Sequence, residues 1–208
     1  MAKIRICYFL EDRAQEGFIK ALVERIITEE GLPREGLIHD IRSARYGSRI
    51  IQEFRRFLKD MRRTDEPVPD LFVVAVDGNC KGYNERVSQL RKLLKDTDHF
   101  KERIVFAVPD PHIERWYLLD QKALKEATGL ARAPDMPAYK CKKDYYKQVL
   151  RDALRELQPL LGGVEFAERI ARAMTNLESL GQHDAGFARF ISDLREQARK
   201  LRGELWPS

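Results

Sequence analysis

The sequence predicts an α/β fold, with a mostly parallel four-stranded sheet, helices on both of its faces and a helical extension at the C-terminal end. Two observations support this fold class. Strand-like apolar runs alternate with helix-length amphipathic segments through the first 108 residues. In addition, Leu71–Val76 and Arg103–Val108 are almost continuously apolar, which is typical of strands covered on both faces. Because helix-length connections between strands are crossovers, we expect the strands to be parallel.

The strands and helices of the first half can be placed in order. Four segments have strand composition: Lys3–Leu10, Gly36–Arg42, Leu71–Val76 and Arg103–Val108. Three segments between them place apolar residues at helical spacing: Ala14–Glu30, Ser48–Arg63 and Asn84–Lys95. Thr64–Asp70 carries two prolines and three acids and is predicted to be a loop.

The pattern changes after Pro109. Two short helices are predicted over Ile113–Asp120 and Gln121–Thr128, followed by a loop over Gly129–Lys143. Three longer helices follow: Asp144–Gln158, Val164–Leu180 and Asp184–Leu201. We therefore expect an α/β domain over residues 1–120 and a helical extension packed on it over residues 121–208.

Composition excludes several classes of protein. Hydrophobic residues make up 43% of the chain, which is enough for a core and argues against disorder. The longest apolar run, Leu71–Val76, is far shorter than the ~20 residues that a membrane span needs. No signal peptide is recognised at the N-terminus. The three cysteines, Cys7, Cys80 and Cys141, are far apart and form no CxxC pair, so we expect reduced thiols and a cytoplasmic protein.

Positive charge is concentrated in one segment. The net charge is +5, and residues 34–63 alone hold nine Lys or Arg against four acids, a difference that equals the whole excess. Two interpretations stay open: a solvated helix face, or a surface that binds a polyanion such as nucleic acid.

Acidic side chains follow three of the predicted strands. Glu11 follows the first strand, Asp77 the third and Glu114 the fourth. In parallel sheets ligands bind beyond the carboxyl ends of the strands, and several carboxylates gathered there favour a hard divalent cation such as Mg²⁺. The alternative is that such acids cap helices or begin turns, as Asp12 could for the first helix.

These residues resemble a known family. A glutamate after strand one, an aspartate motif after strand three and about 110 residues of β-α alternation are similar to the TOPRIM domain of topoisomerases, primases and OLD-type nucleases, a Rossmann-like fold. The segment Pro111–Asp120, PHIERWYLLD, is similar to the P-x-x-E-x-W-x-L-x-D signature of small TOPRIM-related proteins, including the RloB-like ones. These proteins often accompany an ATPase partner in bacterial defence islands.

The resemblance implies a phosphotransfer site that depends on Mg²⁺ or Mn²⁺, most often that of a nuclease. It makes Glu11 a general base or metal ligand, Asp77 a metal ligand and Glu114 the acid of the E-x-W motif. Asn79 stands where the family has a second aspartate. An amide oxygen can bind Mg²⁺ but carries no charge, so Asp110 or Asp12 would have to supply the missing charge.

Other residues have candidate roles near this site. Five cations are expected to contact a nucleic-acid backbone: Lys81, Arg115, Lys140, Lys142 and Lys143. Trp116 could stack on a base, although its apolar neighbours favour a place in the core. His112 could shuttle protons or bind metal, or could be incidental.

Three functional hypotheses follow. The first is a Mg²⁺-dependent nuclease acting on DNA or RNA, in which Glu11, Asp77 and Glu114 are catalytic and Asn79 joins them as a weaker metal ligand. The second is an adaptor with the same fold that binds nucleic acid or a partner protein without efficient catalysis. A small-molecule phosphotransfer enzyme is a third hypothesis. No P-loop and no G-x-S-x-G elbow is present.

Overall fold

The computed structural model of the chain describes residues 3–43, 49–63 and 67–205. Positions 44–48, which include the predicted helix start at Ser48, and positions 64–66 of the predicted Thr64–Asp70 loop lie outside the described residues. The first half contains β1 (Ile4–Leu10), α1 (Arg13–Glu29), β2 (Leu37–Ser43), α2 (Ile50–Met61), β3 (Leu71–Ala75), α3 (Gly82–Leu93) and β4 (Ile104–Ala107). Each predicted strand is present, with ends within two residues of those expected.

After β4, the regular elements of the described residues are helices, and residues 129–144 form the predicted loop. The α-helices are α4 (Glu114–Tyr117), α5 (Gln121–Thr128), α6 (Tyr145–Ala153), α7 (Ala167–Ala173), α8 (Leu177–Gly181) and α9 (Ala185–Leu205). The single helix expected over Val164–Leu180 is wrong, because the chain breaks between α7 and α8. Asn176 has left-handed backbone angles there, and its side chain accepts a hydrogen bond from Ser179 N. An asparagine tolerates that conformation and caps the new helix.

The four strands form one parallel sheet in the order β2-β1-β3-β4. This confirms the predicted α/β class. The chain moves from β1 to β2 on one side and then returns to β3 on the other side of β1, so strand order reverses between β1 and β3. The register pairs Leu10 with Ala75, which aligns the carboxyl ends of these two strands. Ligands bind at such a reversal point in open α/β sheets.

Apolar side chains cover both faces of the sheet. Alternate residues of β1 point to opposite sides: Ile6 and Tyr8 pack in a core shared with α1, α5, α7 and α9, whereas Cys7 and Phe9 pack against α2 and α3. The helices after residue 120 share the larger of these cores with the sheet. None of the described helices is long and apolar enough to cross a bilayer.

Helix α9 approaches the edge strand of the sheet closely. A Cβ built on Gly186 would lie 2.5 Å from the backbone oxygen of Val108, so only glycine permits this approach. Phe187 and Phe190 then pack on Trp116, with ring centroids 5.2 and 5.8 Å away. Trp116 is fully buried, which confirms its expected place in the core.

Candidate active site

Glu11 and Asp77 meet at the point where strand order reverses. The backbone N–H of Glu11 continues the β1–β3 pairing by donating to the Ala75 carbonyl at 3.1 Å. The Glu11 side chain then turns toward β3, where its Oε2 accepts the backbone N–H of Asp77 at 2.7 Å. Two of the predicted site residues are therefore in direct contact.

Gln15 connects the same two residues from inside α1. Its Oε1 accepts the backbone N–H of Glu11 at 2.9 Å, and its Nε2 donates to Asp77 Oδ1 at 3.0 Å. Asp12 caps the helix by accepting the Gln15 N–H at 3.1 Å, as the capping alternative predicted. Sequence reasoning missed Gln15, which is fully buried; its position three residues before Phe18 and seven before Leu22, on the apolar face of the helix, was a usable signal.

His112 completes the surroundings of Asp77. Its Nδ1 lies 2.9 Å from Asp77 Oδ2, and this hydrogen bond raises the pKa of the imidazole above its ordinary value. The protonated ring is therefore favoured beside the Asp77 carboxylate. Because both oxygens of Asp77 now have partners, the orientation of this carboxylate is well determined.

Glu114 brings a third carboxylate to this region. It is buried as the first residue of α4. Burial raises its pKa, and the negative charges of Asp77 and Asp12 raise it further. Burial also raises the pKa of Glu11; its hydrogen bond from Asp77 N opposes this, whereas the charge of Asp77 adds to it. The three predicted acids therefore interact electrostatically.

Asn79 is not brought to the acids as a ligand. It is exposed, has a φ of 51°, and its Nδ2 donates to the backbone oxygen of Asp77 at 3.3 Å. Asp110, the proposed substitute charge, instead holds the loop, because its Oδ1 accepts the Cys80 N–H at 2.8 Å. In the described part of the chain, no group of three or more His, Cys, Asp or Glu side chains is arranged to hold a metal ion.

The acids nevertheless fit a more open kind of cation site. Mg²⁺ is commonly held by one or two carboxylates, with water and substrate phosphate supplying its other ligands. Glu11 and Asp77 supply two carboxylates here, because the Glu11 carboxylate accepts the backbone N–H of Asp77 and the two side chains interact through their charges. Burial raises the pKa of Glu11 and the negative charge of Asp77 adds to this effect, whereas a bound cation would favour the charged form of Glu11.

Arg86 supplies positive charge next to these acids and was missed in the sequence. This α3 residue is half-buried, and its charge lowers the pKa of Glu11. Its Nε is buried without a hydrogen-bond partner in the described structure. An arginine in the helix that follows the Asp77 loop is well placed to contact a phosphate.

Four of the five predicted nucleic-acid contacts are exposed: Lys81, Lys140, Lys142 and Lys143. A disulfide between Cys80 and Cys141, with Cα atoms 5.5 Å apart, brings the loop that carries Lys81 together with the loop that carries the other three lysines.

This disulfide shows that the expectation of three reduced thiols is wrong for this structure, in which only Cys7 is free. Sequence spacing could not show this, because 61 residues separate the two cysteines.

Arg115 lies in the interior and not on the binding surface that the sequence predicted. Its guanidinium donates to Asp184 Oδ2 at 2.9 Å, to the Tyr146 hydroxyl at 3.2 Å and to the His183 carbonyl at 2.8 Å. The cation is thus fully occupied in joining α4 to the helices around it. This arrangement corrects the predicted role, because a buried and paired arginine cannot meet a nucleic-acid backbone.

The basic segment over residues 34–63 is partly engaged within the protein. Arg42 contacts Asp40 at 3.0 Å and lies over the Phe57 ring at 4.3 Å, and Arg34 pairs with Glu24. Arg45 lies outside the described residues.

Comparisons with protein-family models, with curated proteins and with solved structures found no match to this chain. The chemistry of the site is therefore argued from its own geometry. In that geometry, the Glu11 carboxylate bonds to the Asp77 backbone at the reversal of strand order. The Asp77 carboxylate interacts through its charge with Glu11 and Glu114, and a histidine and an arginine lie next to these acids.

Proposed function

We propose that the chain is a Mg²⁺-dependent, TOPRIM-like nuclease that hydrolyses phosphodiester bonds in DNA or RNA. The observation that carries this proposal is the 2.7 Å contact between Glu11 and Asp77 at the reversal point of the sheet. Metal-dependent phosphodiester hydrolysis uses negative charge that can hold a cation next to positive charge that can hold phosphate. Both kinds of charge are found within this small region.

Each residue has a distinct part in the proposal. Glu11 and Asp77 would hold Mg²⁺ or Mn²⁺, with Glu114 contributing negative charge behind them. The cation, when bound, would lower the pKa of a water and neutralise charge on the phosphate. His112, whose pKa the hydrogen bond to Asp77 raises, would donate a proton to the leaving oxygen.

Positive side chains would hold the substrate at the rim. Lys81 is exposed at the end of the Asp77 loop, and the Cys80–Cys141 disulfide places Lys140 and Lys142 near it. The same proposal includes a cytoplasmic location and an ATPase partner, as in the defence-island proteins that Pro111–Asp120 resembles.

A second function, a nucleic-acid-binding or partner-binding adaptor, is favoured by one observation. Asn79 bonds to its own loop, so the site has one carboxylate fewer than the aspartate motif that it resembles. An adaptor would keep the fold and the basic surface but would respond little to metal.

Cleavage and metal binding distinguish the two functions. We would incubate labelled DNA and RNA with the wild-type chain and with Glu11→Gln and Asp77→Asn, in Mg²⁺ or Mn²⁺ and in chelator. Glu126→Gln is the matched control, because it removes one carboxylate charge from an exposed position of α5. Under the proposal, cleavage requires metal and is lost in both site variants but not in the control.

Thermal unfolding provides the second readout. Mn²⁺ should raise the unfolding temperature of the wild type and of Glu126→Gln but not that of Asp77→Asn. Nucleic-acid binding with neither cleavage nor a metal response would overturn the nuclease and support the adaptor.

A further inference from the structure

Helices α3 and α9 enclose a groove that has no part in the acidic site. Its volume is about 540 Å³, and seven of its lining residues come from α3 and the residues just after it. Tyr83 donates a hydrogen bond to Asp193 Oδ2 at 3.2 Å, which joins the two helices along the groove. The groove is therefore a fixed feature between packed helices.

The groove has a strong excess of positive charge. Arg91, Lys92 and Lys95 line it from one side and Arg189 from the other, and Asp193 is the one acid among the described residues that line it. All four cations are exposed. None of their side chains forms an ion pair or hydrogen bond with another described residue.

This lack of partners contrasts with the opposite side of α9. There Arg195 and Arg199 bond to Glu30 at 2.8 to 2.9 Å, and Arg195 also contacts Glu178. Arginines on one side of α9 are thus neutralised, whereas the groove on its other side brings Arg189 together with the three cations of the α3 segment. Unneutralised positive charge along a groove attracts polyanions.

The groove also has the right position and length for a nucleic-acid strand. Helix α3 begins at Gly82, directly after the loop that carries Asp77, so the groove starts near the acidic site. Its 12 residues extend about 18 Å at 1.5 Å per residue. That length is enough for several phosphates of one strand.

We propose that the α3–α9 groove binds the phosphate backbone of a nucleic-acid strand through Arg91, Lys92, Lys95 and Arg189. The strand would run from this groove toward Glu11 and Asp77. Only that direction rests on the proposed nuclease function, because the binding itself needs no metal and no cleavage.

Binding in the absence of metal tests the groove separately from catalysis. We would measure fluorescence anisotropy of labelled oligothymidylate and oligouridylate of about a dozen nucleotides in EDTA. The test variant is Arg91→Glu/Arg189→Glu. The control is Lys122→Glu/Lys125→Glu, which makes the same change in net charge at exposed positions of α5, away from the groove.

The expected result is a loss of affinity of about tenfold or more in the groove variant and a much smaller loss in the control. The slope of log K against log salt should also fall by about one for each backbone contact removed. Arg91→Ala/Arg189→Ala should show a smaller loss, and circular dichroism should show each variant to be folded.

Three results would overturn the groove proposal. They are an unchanged affinity in the folded groove variant, an equal loss in the control, and displacement of the oligonucleotide by polyglutamate at the same concentration as by unlabelled strand. Loss of binding in the groove variant, together with no cleavage by the wild type, would support the groove and refute the nuclease. A preference for one of the two probes distinguishes DNA from RNA.

Discussion

The carboxylate of Glu11 accepts the backbone N–H of Asp77 at 2.7 Å, although 66 residues separate the two in the chain. This bond joins the ends of β1 and β3 at the reversal of strand order. It also couples the charges of the two side chains, because the charge of Asp77 raises the pKa of Glu11. The geometry of the candidate site therefore depends on the packing that supports these two residues.

Gln15 is the main support of this pair, and Gln15→Leu should destabilise the fold. The variant removes the acceptor of Glu11 N and the donor to Asp77 Oδ1, which should cost about 1–3 kcal/mol. Urea unfolding measures the change. Gln121→Leu is the control, since that exposed side chain bonds only Asp135, and its effect should stay within ~0.5 kcal/mol. If Gln15→Leu and Gln121→Leu changed the free energy of unfolding equally, Gln15 would not be a support of the site.

Gly78 should not tolerate alanine, although its backbone is not left-handed. A Cβ there would lie 2.4 Å from Asp110 Oδ1 and 2.7 Å from Asp110 Cβ, so Asp110 would lose its bond to Cys80 N. We expect a loss of about 1–3 kcal/mol. A Cβ added at Gly203 in α9 would have no neighbour within 4 Å, so Gly203→Ala should stabilise the chain by about 0.5–1 kcal/mol. Thermal unfolding should show a lower unfolding temperature for Gly78→Ala and a higher one for Gly203→Ala. An unchanged unfolding temperature in Gly78→Ala would contradict the packing around Gly78.

Asp184 should be among the most sensitive positions outside the site. It holds the buried Arg115 at 2.9 Å and also accepts from Trp116 Nε1 and Phe187 N. Asp184→Ala leaves a buried arginine without its counter-ion, which should cost about 3–5 kcal/mol.

The matched control for this prediction is Asp152→Ala, which removes a fully exposed partner of Arg155 and should change stability little. Denaturant titration compares the two variants. If Asp184→Ala lost as little stability as Asp152→Ala, Arg115 would be accessible to water. The predicted contact of Arg115 with nucleic acid would then be possible.

The Cys80–Cys141 disulfide should contribute measurably to stability. It closes a separation of 61 residues, for which loop entropy in the unfolded chain gives about 4 kcal/mol. Reductant should lower the unfolding temperature of the wild type but not that of Cys80→Ser/Cys141→Ser. Thiol titration in denaturant should find one free thiol before reduction and three afterwards, and three from the outset would show that the bond is absent.

Acid should destabilise the fold through His39. Tyr8 is fully buried and burial raises its pKa well above the ordinary value, so its hydroxyl keeps its proton and can donate it to His39 Nδ1, 2.9 Å away. The ring is then protonated on Nε2, which faces Glu24 at 3.4 Å. Burial lowers the pKa of His39 below 6.5; the charges of Lys20 and Arg34 lower it further, and that of Glu24 opposes them.

The direction in which stability changes with pH follows from the lowered pKa of His39. The unfolded chain takes up a proton near pH 6.5 before the folded chain does, so stability is complete above that pH and falls as the pH drops through and below it. His39→Gln should lose less stability than the wild type between about pH 7.5 and about pH 5. Urea midpoints across this range measure the difference, and parallel curves would contradict the assignment.

The local pattern of the sequence was enough to predict the four strands, most of the helices and the acids that follow the strands. Apolar periodicity reports which face of a segment is buried, and turn residues report where it ends. The break at Asn176 was missed because the apolar spacing continues across it. The identity of the acids was visible, but their roles depended on which neighbours they would meet.

Only the tertiary structure decided those neighbours. The pairing of Leu10 with Ala75 places Glu11 beside Asp77, and the packing of α4 under Asp184 removes Arg115 from the surface. Cys80 meets Cys141, and Arg91 faces Arg189, across separations that no local pattern describes. Sequence periodicity specifies the faces of single elements, whereas contacts between elements depend on how those faces fit together in three dimensions.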